Sequence, residues 1–392
     1  MPALCRRNEE GQRHKHYGRD RENDMKNAIR ILLTLLALFI SGCGDNDSSS
    51  SLSIQVVFND IPYPTEKFLR IGYTLSTWEY EKDGLELQKI IILNRRTGEE
   101  LFVIEKENLP KIYKDPVEPS EYFDWDTLTN YYLSIQLPIP LGVTPPETVI
   151  HEFVFKNTVT QEETTVEGGV FSPRINESPV VIASPVRRNN LVFVNQSTMG
   201  YHFYVLLFMD GDIFCPERYA FDTIELNDTM TAMYEGDPKA NASYFNYGST
   251  LYAVADGVVV HIQDGLPENH GDAQDVTFNS AMEYAGNYLM LDIGEGKYAC
   301  YCHCIPGSFL VGEGDSVKEG DPIALLGNSG NSTAPHLHFQ LCEGPEFFSS
   351  IGIPVVLKEY VKTGKYGDSP VSMPAERITG AMMEETTVFK VD

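Results

Sequence analysis

Residues Gly327 to Leu341 read GNSGNSTAPHLHFQL. A polar turn rich in Gly, Asn and Ser leads through Pro335 into His336-Leu337-His338-Phe339. That turn chemistry marks a loop. The residues after it alternate with period two, the pattern of a strand, so His336 and His338 share one face while Leu337 and Phe339 share the other. Two imidazoles at i and i+2 can address one metal-bound centre from the same side, one ligating through a ring nitrogen and the other holding a water. Taken alone, an HxH is common and reads first as two histidines on a solvated strand face.

The chain has 392 residues, 42% of them hydrophobic, and a formal charge of −26. That length exceeds one ordinary core and suits two domains. The acidic excess argues against a nucleic-acid partner, since nothing would neutralise phosphates. Residues 1–24 are polar and charged and read as an over-extended gene model, with translation starting at Met25. A short basic segment follows (Met25, Lys26, Arg30), then the apolar run ILLTLLALFI over 31–40, then Ser41-Gly42-Cys43. This is an export signal over 25–42, too short for a stable transmembrane helix. Its end resembles a bacterial lipobox, which implies lipidation of Cys43, a membrane attachment that does not span, and a place at the cell envelope. Residues 43–51 form a flexible tether.

From 52 to 175 the text is strand-like: IQVVF, LRIGYTL, KIIILN, ELFVIE, YYLSIQL and TVIHEFVF, punctuated by turn residues. Strands at this spacing predict an antiparallel β-sandwich. Residues 176–190 read as a Pro-punctuated linker with few contacts crossing it, so that 185–392 would fold alone. Residues 191–375 are again β-rich, and 376–392 read as a tail. The fold class expected is mainly β throughout. Asp210-Gly211-Asp212 is a hairpin turn signal inside FYVLLFMDGDIFCPERYAFDTIEL. Cys300, Cys302 and Cys304 alternate along one strand and so are expected on one face. Their spacing is not that of a zinc cluster, and a disulfide among the five downstream cysteines stays open.

The second half resembles the lysostaphin-type (LytM) zinc endopeptidases, which cut bacterial cell-wall peptides. The likeness runs from about Tyr201 to Tyr360. It rests on RYAFD at 218–222, YGSTLYAVADGVVV at 247–260, GNYLMLDIGEGKYACYCHC at 286–304, the long run at 311–341 and GIPVVL at 352–357. The resemblance implies a Zn2+ held by an HxxxD motif and by the second His of HxH. Carried over, the aspartate is Asp222 and the HxH ligand is His338. His336 becomes the base, and His303, in Tyr301-Cys302-His303-Cys304, the other catalytic histidine, donating to the developing oxyanion. The chain departs from the pattern at Arg218, where the first zinc-binding His would stand. Arg offers no lone pair to a metal. His202 is the candidate replacement, because 202 and 222 are equidistant from Asp212 and a hairpin folding there sets them opposite each other. His261 and His270 are expected to be solvent-exposed.

The resemblance implies hydrolysis of an amide in peptidoglycan cross-links. Two other readings stay open. One is a relative that has lost its metal and regulates separate cell-wall amidases as partners. The other is a lipid-anchored surface-binding protein that works through its β-sandwich.

Overall fold

The structure is a computed structural model. It describes residues 53–114, 131–194, 201–209, 212–367, 369–384 and 387–391. The gene-model, signal and tether assignments over 1–51, with Cys43, lie outside the described residues. The architecture is mainly β, and among the described residues no helix is long and apolar enough to cross a membrane.

All six strands expected before residue 175 are present, and they fall into two sheets. One carries Gln55–Asn59, Tyr63–Pro64, Phe68–Thr77, Tyr131–Pro140 and Tyr113–Lys114. The other carries Glu100–Glu105, Leu85–Asn94, Val149–Asn157 and Glu163–Phe171. The last strand, ETTVEGGVF, has few large apolar residues and gives little sequence signal. Alternate residues from the two sheets meet in a core that includes Ile71, Tyr73, Leu75, Ile90, Ile92, Leu133, Leu137, Phe153 and Phe155. This is the facing-sheet packing of a sandwich.

His151 is fully buried there. Its Nδ1–H donates to the Gly169 carbonyl at 3.0 Å, and the Tyr73 hydroxyl sits 2.8 Å from Nε2 and donates to it. Gly169 has φ +63°, and an added Cβ would lie 2.9 Å from His151 Nδ1. Burial pushes the imidazole down to about 4. The unfolded chain therefore binds more protons than the native one between pH 6.5 and 4, so stability falls as pH drops through that window. The shift corresponds to about 3 kcal/mol. Urea titrations of wild type and His151→Gln should diverge in their pH dependence only below about pH 6.5. Parallel curves down to pH 4 would refute this.

The second half is built on a large sheet. Its described strands run in the order Val180–Ile182, Val355–Lys365, Thr387–Lys390, Leu191–Val194, Phe221–Glu225, Leu337–Glu343, Lys297–Cys304, Asn287–Asp292, Gly257–Gln263 and Ser316–Val317. Leu337, Phe339 and Leu341 face a core with Phe193, Phe221, Leu289, Leu291 and Tyr301. His338, Gln340 and Cys342 take the opposite face, as period two requires.

Several expectations need correction. Val180–Ile182, inside the expected linker, is a strand paired in parallel with Val355–Leu357. Thr387–Lys390, inside the expected tail, lies between two strands of the large sheet, with Val388 and Phe389 fully buried. The contacts crossing between the halves are not few. Tyr63 shares a cluster with Phe203, Tyr219, Val356 and Met382, and Phe58 and Tyr132 share another with Leu206 and Cys215. The Met382 amide donates to the Pro64 carbonyl at 2.8 Å, and Lys362 pairs with Glu66. The three clustered cysteines do not share a face either. Between Tyr301 and Cys304 three steps oppose two on the neighbouring strand, from Leu289 to Asn287. The extra residue makes a bulge. It turns Cys304 into the main core, while Cys300 and Cys302 pack with Cys342 on the other face. All five described cysteines are buried thiols, with Cys300 and Cys342 sulfurs 3.9 Å apart.

Candidate metal centre

Three adjacent strands bring the site together. Asp222 pairs with His338, and His338 pairs with Cys302 on its other side. Directly opposed residues on neighbouring strands point the same way. Asp222, His338 and Cys302 therefore form one row across the sheet, and the His338 Nδ1 atom lies 3.0 Å from Asp222 Oδ1. Gln340, two residues on and so on the same face, accepts from His338 Nε2–H at 3.1 Å. That contact leaves Nδ1 as the atom aimed at the carboxylate.

His202 joins this pair. Its Nε2 is 3.7 Å from Asp222 Oδ2, and its ring meets that of His338 edge-on at 4.8 Å. One donor atom from each of His202, Asp222 and His338 lies within 4.8 Å of the others, and all three residues are buried. The route differs from the expected hairpin. Among the described residues of that hairpin, only Leu207–Met209 and Asp212–Phe214 pair, in a register that sets Leu207 opposite Phe214. Extended, that register would place 202 opposite 219. The ladder stops first, and His202 comes from a 3-10 turn, Tyr201–Tyr204. Asp222 sits on a different sheet, opposite Val194 and His338.

His303 is the extra residue of the bulge and has φ +63°, a conformation uncommon for a non-glycine residue. It is buried, with its ring 4.6 Å from that of His336 and 5.9 Å from that of His338. Its Nδ1–H donates to the Ser329 carbonyl at 2.7 Å. His336 Nδ1–H donates to the Ala334 carbonyl at 2.8 Å, with the Ser332 hydroxyl at 3.1 Å. A carbonyl only accepts. Both neutral rings therefore present an unprotonated Nε2, and that of His336 lies 3.5 Å from Asp222 Oδ1. The oxyanion-donor role expected for His303 needs a proton on Nε2, which this ring lacks in its neutral form.

The turn at 327–335 is held by buried amides. Asn269 Nδ2 donates to the carbonyls of Asn328 and Gly330, and Asn246 Nδ2 to that of Pro335. Ser329 Oγ donates to the Cys304 carbonyl at 2.9 Å and accepts from the Asn287 amide. The polar composition of the turn is thus spent on fixing the two carbonyls, Ser329 and Ala334, that orient His303 and His336.

Electrostatics follow from this crowding. Burial alone would raise the Asp222 carboxyl, but the imidazoles of His202, His336 and His338 hold it well below the usual carboxylate range. Burial would lower His338, and the adjacent Asp222 carboxylate instead lifts it to about 9. Burial lowers His303 and His336, the former strongly.

Arg218 takes no part in this group. It is fully buried, and its Nε donates to Asp60 Oδ2 at 2.6 Å while Nη1 donates to Thr74 Oγ1 at 2.8 Å. His261 and His270 are exposed, as expected. Gln340 and Ser329 escaped the sequence reading. The period-two face that links His338 to Gln340 was the available signal for the first. Nothing local announced the second.

Residues 242–347 match the model of a family described as Peptidase family M23. Over 94 residues the chain is 35% identical to peptidoglycan DD-endopeptidase ShyA of Vibrio cholerae, a stretch that is 24% of this chain and 17% of that protein. Over 56 residues it is 46% identical to an uncharacterized metalloprotease of Haemophilus influenzae, 14% of this chain and 11% of that protein. The chain thus spans less than a fifth of the length of these curated relatives. Among solved structures, it is similar to the catalytic domain of lysostaphin from Staphylococcus simulans, at 26% identity, covering 30% of this chain and 84% of that one with a TM-score of 0.20. It is also similar to a zinc containing peptidase from Vibrio cholerae, at 16% identity, covering 69% and 77% with a TM-score of 0.22. The matched region holds His303, His336 and His338, and begins after His202, Arg218 and Asp222.

Proposed function

We propose that this protein is a zinc-dependent endopeptidase that hydrolyses amide bonds in peptidoglycan peptides, held at the cell envelope by a lipid on Cys43. The observation that carries the reading is the convergence of His202, Asp222 and His338, with His303 and His336 beside them. Two imidazole nitrogens and one carboxylate are a donor set that suits zinc and leaves a coordination position open. Gln340 fixes the orientation of His338 from behind, as outer partners of metal-binding histidines do. When bound, zinc supplies a Lewis acid and lowers the pKa of a coordinated water.

The chain's own residues supply the proton handling. His336 Nε2 takes a proton from the attacking water and delivers it to the leaving amine. His303, with its Nδ1–H committed to Ser329, offers a second acceptor on the same side and donates only once it has gained a proton. The cell-wall peptide as substrate is supported by the named activity of the Vibrio cholerae relatives, peptidoglycan DD-endopeptidases.

Elemental analysis of the purified protein should find one zinc per chain. Isolated peptidoglycan should release soluble peptides on incubation, a chelator should stop the release, and added zinc should restore it. A chain that binds no zinc and cuts nothing would favour the amidase-regulator reading instead. For the anchor, mass spectrometry of membrane-extracted protein should find a lipid-modified N-terminus at Cys43. A soluble mature protein beginning elsewhere would end that part of the proposal.

A further inference from the structure

We infer that the N-terminal half completes the metal centre: Asp60, through Arg218 and Phe203, positions the turn that carries His202. The inference rests on the zinc reading above and extends it to residues that touch no metal.

Asp60 lies just after the first strand of the sandwich and is buried. Its Oδ2 accepts from Arg218 Nε and from the Tyr219 hydroxyl, each at 2.6 Å. Gly72 makes room for this junction, since a Cβ there would fall 2.2 Å from the Tyr219 hydroxyl and 2.6 Å from Asp60 Oδ2. The Arg218 guanidinium lies over the Phe203 ring at 4.4 Å, and the Tyr219 ring meets Phe203 edge-on at 5.6 Å. Tyr63, also from the N-terminal half, packs on Tyr219 at 5.2 Å. Phe203 is fully buried and adjacent in sequence to His202.

The other two members of the metal group need no such help. Asp222 and His338 sit opposite each other on paired strands, so the sheet sets their geometry. His202 stands on a single 3-10 turn outside any ladder, and such a turn is not rigid alone. Its seat is the platform of Arg218, Tyr219 and Tyr63, and Asp60 pins two of those three. Arg218 therefore acts as a positioning residue for the ligand that stands in for the histidine it displaces.

Two measurements on purified, metal-free full-length protein test this. Zinc affinity of Asp60→Asn should fall about 10-fold or more, the scale of outer-partner substitutions at metal sites. Amide hydrogen exchange should speed up at residues 202–204 while residues 337–341 stay protected. Because Asp60→Asn risks misfolding, Phe203→Leu provides a second route. It leaves the ion pair intact, removes the ring on which the Arg218 guanidinium lies next to His202 in the chain, and should weaken zinc in the same direction. Unchanged zinc affinity in both variants overturns the proposal. So does exchange that quickens equally at 202–204 and 337–341, which would report general loosening. A wild type that binds no zinc sinks the zinc reading together with this one. Wild type that binds while both variants bind equally well sinks this one alone.

Discussion

Replacing Asp60 by Ala should destabilise the protein by about 3–5 kcal/mol, the scale of stripping one partner from a buried ion pair. Arg218 has no exposed surface, and burial disfavours its charge, which the Asp60 carboxylate restores. Without that carboxylate the guanidinium keeps the Thr74 hydroxyl and the faces of Phe58 and Phe203, all uncharged. An arginine cannot escape by losing its proton. The cost therefore appears as lost folding free energy, measurable as a lower urea midpoint with an unchanged slope. Removing both charges is different. Asp60→Leu with Arg218→Met should recover most of the loss, since well-packed apolar replacements of buried ion pairs are often neutral or stabilising. A single Asp60→Ala variant within about 1 kcal/mol of wild type would show that the pair contributes little. The same contact bears on separability. A chain cut to residues 185–392 keeps Arg218 and loses Asp60, Thr74 and Tyr63, so it should be poorly soluble where the full mature chain is not.

What the sequence disclosed follows the range of the forces involved. The His-x-His strand was legible because its turn composition and its period-two alternation are local. The sandwich strands were legible for the same reason, whereas ETTVEGGVF gives little signal because its exposed face dilutes the pattern. Thr387–Lys390 looked like a tail because four residues carry too little periodicity to declare a strand. The hairpin register that points to His202 is not the one the chain adopts, and His202 reaches Asp222 from a 3-10 turn instead. The histidine was available, and the aspartate needed a neighbour, but the geometry came from packing. His303 shows a further limit. Period two places residues on faces, and a one-residue bulge reverses every assignment beyond it. Asp60 and Arg218 are 158 residues apart, and no pattern in either neighbourhood points to the other.

His336→Ala and His202→Ala should part company most sharply. His336 uses Nδ1 on the Ala334 carbonyl and presents Nε2 beside Asp222, outside the group of three whose donor atoms converge. A base touches the water, not the metal. His336→Ala should therefore retain one zinc per chain while peptide release from peptidoglycan falls about 100-fold or more, the contribution of a positioned general base. His202 belongs to the converging group, and two remaining ligands hold zinc poorly against water. His202→Ala should lose most of its zinc and with it the activity, and His338→Ala should do the same. Arg218→Ala is the informative contrast. Its side chain points at Asp60, so any zinc loss there comes through the His202 turn and must stay smaller than in His202→Ala. Zinc stoichiometry by elemental analysis and peptide release, measured on all four variants, separate these cases. Full zinc and full activity in His202→Ala would remove that residue from the metal centre and leave Asp222 and His338 in need of another third ligand.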